Sequence, residues 1–73
     1  MKVTWEAQDI KPGRWYSKPD ISEKWIIGYL PNAPVEKRFV SVSAQDGMVT
    51  HTSTSEELAE QLTSGGYYPM ELL

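Results

Sequence analysis

An α+β fold is predicted for these 73 residues: a small antiparallel sheet of about four strands in a β-meander, one short C-terminal α-helix packed on one face, and an extended apolar C-terminal tail. Three observations predict it. Residues 23–30 and 38–52 carry apolar patterns of strand period, two overlapping helix-start signatures precede Leu58, and turns rich in Pro and Gly break the first half into short runs. The chain reads as a single domain, 1–73, small enough that folding buries only about 60 to 65 % of the surface of the unfolded chain. With no Cys to staple it, the core must come from aromatic mass: Trp5, Trp15, Tyr16, Trp25, Tyr29, Phe39, Tyr67 and Tyr68.

Taken in order, residues 2–6 read as a short strand, Lys11-Pro12-Gly13-Arg14 fits a type II turn, and residues 14–17 resume an extended course. Lys18-Pro19-Asp20 is a loop. Residues 23–30 form the clearest strand of this half, with Trp25, Ile27 and Tyr29 on one face and Ile26 and Leu30 on the other. Pro31-Asn32-Ala33-Pro34 leads into a hairpin of residues 38–44 and 48–52. There Asp46-Gly47 suits a two-residue type I′ turn. That register sets Ala44 opposite Val49 and Val42 opposite His51. Val40, Val42, Ala44, Val49 and His51 would then share a core face, and Ser41, Ser43, Thr50 and Thr52 a polar one.

The helix follows from local chemistry. Ser53 and Thr54 each stand three residues before a glutamate, Gly65-Gly66 supplies the stop, and Leu58, Ala59 and Leu62 make one apolar stripe. Glu56, Glu57 and Glu60 lie opposite that stripe in the first two turns, where the helix dipole favours carboxylates. The tail, 67–73, returns as an extended segment that Pro69 confines to an edge.

A strand apolar on both faces asks for cover on both, and one helix covers one. Either the N-terminal segment and the tail close the second face, or a second molecule does, a homodimer being the simplest. Trp25, Tyr29, the acidic face Glu56, Glu57 and Glu60, and the tail residues Tyr67, Tyr68 and Met70, with Leu72 and Leu73 beyond them, are the candidate protein interface.

Catalytic, cofactor and metal machinery is not expected. Nucleophile-elbow, phosphate-loop and dinucleotide-binding patterns are missing, and with one His and no Cys the usual zinc sets are excluded. His51 is the one natural acid–base side chain. A His51-dependent hydrolase would require a pocket around the ring and a second polar group within hydrogen-bond reach. No stretch approaches the about 20 apolar residues of a membrane span and no signal-peptide h-region opens the chain, so a cytoplasmic protein is expected.

Charge is divided along the chain. All seven Lys and Arg precede Phe39, beside five carboxylates, and five more carboxylates follow it without a cation. Such asymmetry concerns partners more than fold. The basic half interleaves Lys11, Arg14, Trp15, Tyr16, Lys18 and Lys24 as single-strand nucleic-acid binders do, yet Glu6, Asp9, Asp20 and Glu23 lie among them. The leading expectation is therefore a non-enzymatic protein-interaction module that self-associates. Single-stranded nucleic-acid binding through the N-terminal half is the alternative.

Overall fold

The structure, a computed structural model, describes residues 3–19 and 22–72. Five strands form one antiparallel sheet: β1 (Trp15–Ser17), β2 (Lys24–Tyr29), β3 (Phe39–Ser43), β4 (Val49–Ser53) and β5 (Tyr68–Pro69), in the order β4-β3-β2-β1-β5. The first four are the expected meander. Helix α1 (Ser55–Ser64) then carries the chain from the β4 edge to the opposite edge, where β5 pairs with β1. The α+β class holds, with two corrections: the described residues form five strands, and the helix is followed by one of them. The tail is extended only as far as Pro69 and ends in the 3-10 turn Met70–Leu72; Leu73 lies outside the described residues.

The helix ends are built from the residues that announced them. Thr54 Oγ1 accepts a 3.2 Å hydrogen bond from the Glu57 N–H, satisfying one of the donors a helix start leaves free. At the other end the Tyr67 N–H reaches Leu62 O at 3.0 Å and the Gly66 N–H reaches Thr63 O at 3.3 Å. This Schellman closure needs a left-handed residue, and Gly66 supplies it at φ 74°. The 11–14 turn closes as expected, its Arg14 N–H donating to Lys11 O.

Two expectations fail at the N-terminus and the hairpin. Residues 3–6 form no strand; a 3-10 turn, Ala7–Asp9, follows them, and the Trp5 N–H donates to Thr63 Oγ1 of α1 at 2.7 Å in place of a sheet neighbour. Lys2 lies outside the described residues. In the hairpin, a type I′ turn would need positive φ at both Asp46 and Gly47, but only Gly47 has it, at 72°. The connection is a longer loop, residues 44–47, with the Ser43 N–H bonded to Met48 O. Val42 therefore faces Val49, and a bulge between Ser41 and Val42 lets Ser41 face His51 and Phe39 face Ser53. The bulge separates His51 from the valines. Ser41 and Ser53 turn toward α1, and Val40, Val42 and Val49 turn away, the reverse of the expected faces, while His51 stays on the α1 side as expected but without the valines.

Volume explains the inversion. The helix side already holds Tyr16, Trp25, Ile27 and Tyr67, with Trp5 and Ile10 arriving from the N-terminal segment and Leu58, Ala59 and Leu62 from α1. Tyr16 stacks on Trp25 at 5.7 Å between ring centroids, and Tyr67 meets both edge-on at 5.3 and 5.4 Å. Small residues fit under such rings, and Ser41 and Ser53 occupy buried positions on this side of the sheet; Ser17, also buried, lies on the opposite face with its cross-strand partner Lys24. Their hydroxyls are bonded: Ser17 Oγ donates to Glu23 O, Ser53 Oγ to Thr54 O, and Ser41 Oγ pairs with Tyr16 at 2.7 Å.

Candidate functional site

The face of the sheet away from α1 carries a continuous apolar row. Trp15 pairs with Ile26, Ile26 with Val42 and Val42 with Val49, so four strands place one apolar side chain each in register across that face. Trp15 is 43 % exposed and Val49 54 %, and Ile26 and Val42 are half-buried between them. Met48, 64 % exposed, extends the row at the β4 edge. Behind it, Val40 is buried because Gly28 opposite leaves a notch; a Cβ there would stand 2.9 Å from Val40 Cγ2. Among the described residues, the N-terminal segment packs on the helix side, with Trp5 in the core there, and β5 lies beside β1, not across this face.

The expected protein-interface residues are not gathered on one surface. Trp25 and Tyr67 pack against the core, whereas Tyr29 is exposed beside Phe39 at the far end of β2. Glu56, Glu57 and Glu60 are exposed on α1. Tyr68 is half-buried on the β5 edge and Met70 half-buried in the turn after it. The row itself is not legible in the sequence: the alternation puts Ile26 on the second face but Val42 and Val49 on the core face. The bulge that moves them carries no sequence mark.

The basic and aromatic residues of the N-terminal half are also separated. Tyr16 is in the core at 4 % exposure. The Arg14 guanidinium lies 5.7 Å from the Trp5 ring and its Nε donates to Glu71 Oε1 at 3.0 Å; Lys18 Nζ lies 4.7 Å from the Tyr67 ring. Glu71 is held below its ordinary 4.5, first by a hydrogen bond from its own backbone N–H and then by Arg14. Lys11, Trp15 and Lys24 remain exposed, Lys24 two residues along β2 from Ile26 of the apolar row and so on the same face.

Between the sheet and α1 a second feature opens, a cavity of about 180 Å³. Its aromatic walls are Tyr16, Trp25 and Tyr67, α1 contributes Leu58, Gln61 and Leu62, and the hairpin contributes Ser41, Thr50 and His51. Burial pushes the Tyr16 hydroxyl above its ordinary 10.0, with the Ser41 hydrogen bond acting in the opposite direction. His51 Nε2 is buried without a hydrogen-bond partner among the described residues. A pocket around His51 is thus present, and among the described residues Nε2 makes no hydrogen bond within it. Among the described residues, no three His, Asp or Glu side chains gather as a metal site, and no helix is long and apolar enough to cross a membrane.

No protein-family model, curated protein or solved structure matches the chain.

Proposed function

We propose that the protein is a small non-enzymatic interaction module that pairs with a second copy of itself through the open face of its sheet, with the cytoplasm as the setting for a cysteine-free chain. The observation that carries this reading is the row Trp15, Ile26, Val42 and Val49, apolar, in register and uncovered.

Three features favour a second copy as the occupant. The molecule is a slab of 35 × 26 × 17 Å, and its broad face can supply the about 800 Å² that each partner gives to a standard interface. A two-fold axis lying in the interface along the strands reverses the row. The bulky Trp15 of one copy then meets the small Val49 of the other, and Ile26 meets Val42, which is the self-complementarity an isologous contact requires. The same operation brings Lys24 toward the 44–47 loop of the second copy, which carries Asp46. Neighbouring strand ends place Lys24 and that loop on one level, since the Ala44 N–H donates to Lys24 O at 2.9 Å.

Light scattering across a wide concentration range tests the reading. A dimer is expected, and Val49→Lys, at a position already 54 % exposed, should weaken it by at least about tenfold while leaving the circular dichroism unchanged. A monomer at every concentration would overturn it. So would a Val49→Lys protein that still dimerises fully. Quenching of Trp15 by single-stranded oligonucleotide at low salt, lost on adding salt, would favour the nucleic-acid alternative instead.

A further inference from the structure

The cavity under α1 contains a mismatch that a specific kind of molecule would remove. Tyr16 and Ser41 share one hydrogen bond of 2.7 Å between two hydroxyls. Whichever of the two donates, one hydroxyl proton is left over, and no acceptor among the described residues takes it. Ser41 is the direct cross-strand partner of His51, on the same face, and His51 Nε2 is buried without a partner. Two unused polar positions, a hydroxyl proton and an imidazole nitrogen, therefore belong to residues lining one cavity. Leaving a buried polar atom unpaired costs about 1–3 kcal/mol.

We propose that this cavity is a binding site for a small aromatic alcohol of the phenol class, whose hydroxyl bridges the Tyr16–Ser41 pair and His51. The hydroxyl accepts the spare proton and donates its own to Nε2. Because a hydroxyl can both donate and accept, it serves either tautomer of the ring, which a carboxylate or a cation could not. The ring lies against Trp25, Tyr67, Leu58 and Leu62, an aromatic and aliphatic lining. Volume agrees: an apolar cavity of about 150 Å³ admits benzene, and this one measures about 180 Å³. The site is on the opposite side of the sheet from the apolar row, so the two proposals stand or fall separately.

Phenol and benzene, titrated in parallel into the full chain and followed by NMR, test the assignment. With phenol, saturable shifts are expected at Ser41, the Trp25 indole N–H and Tyr67, together with a change in the His51 Nε2 ¹⁵N resonance; benzene should bind more weakly and leave that nitrogen unmoved. Ser41→Ala should weaken phenol by about fivefold, the loss of one hydrogen bond, and leave benzene unaffected. If that variant does not fold, the His51 ¹⁵N response of the unaltered protein decides alone. The proposal is overturned by the absence of saturable shifts, as in a cavity that holds only water. It is equally overturned by equal affinity for phenol and benzene with the His51 nitrogen unmoved, or by shifts confined to Trp15 and Val49 on the other face.

Discussion

At the scale of single residues, Tyr16 ties the aromatic core to the β3 strand. It stacks on Trp25, meets Trp5 and Tyr67 edge-on, and bonds Ser41 across two strands. Its buried hydroxyl titrates above the ordinary 10.0, so the folded state keeps a proton that the unfolded chain begins to lose near that pH. The stabilisation is complete below about pH 10 and is lost as pH rises toward the folded-state value. Tyr16→Phe should be less stable at neutral pH, since Ser41 loses its partner, but should show a shallower fall in melting temperature between about pH 9 and about pH 11. Parallel curves for the two proteins would contradict that assignment. The sequence counts Tyr16 among the aromatics that build the core, but does not single it out, and its place among Arg14, Trp15 and Lys18 equally suits a stacking surface. Local composition does not say which of two adjacent aromatics faces inward; pairing with Trp25 on the helix-covered face turned Tyr16 in and left Trp15 out.

At the scale of elements, the helix and the β3–β4 hairpin show what local chemistry can and cannot decide. Thr54, Gly66 and the stripe Leu58, Ala59 and Leu62 act within a few residues of one another, and α1 begins and ends where they direct. The hairpin depends on partners far along the chain. Asp46-Gly47 suggested a tight turn, but strand β3 must place Ser41 beneath Tyr16, 25 residues away, and must place Val40 over the notch at Gly28. A bulge reconciles those demands with β4 at the cost of the two-residue turn. Gly28→Ala tests the fit. With Val40 Cγ2 only 2.9 Å from the new Cβ and Val40 itself buried, the substitution should destabilise by about 1–3 kcal/mol. The double variant with Val40→Ala should recover part of that loss, and purely additive effects in denaturant melts would show that the notch is not what binds the two strands.

At the scale of the whole molecule, the division of charge has become a matter of where the two halves meet. Arg14 is tied to Glu71 across 57 residues of chain, and the acids of α1 are accounted for by its N-terminus, so neither half presents a uniform field. What remains for association is local: Lys24 on the open face and Asp46 in the nearby loop. If the second copy sits as proposed, raising salt should weaken the dimer a few-fold, and Lys24→Ala should weaken it and remove most of the salt dependence. A dimer indifferent to both would leave the apolar row as its whole basis and exclude the reversed-row geometry. The sequence alone determined the α+β class, the places of β1 to β4, the turn at Pro12-Gly13 and the helix with its two ends, because each rests on residues close together in the chain; it also placed a strand at residues 2–6, where the described residues 3–6 form none. It also determined that β2 was apolar on both sides and that one helix could cover only one. Tertiary structure decided which side stayed bare, which serines were buried, and that His51 faces a cavity. Those outcomes follow from the volume of aromatic rings converging from residues 5, 16, 25 and 67, and space-filling among distant residues is a property of the packed chain that no local pattern encodes.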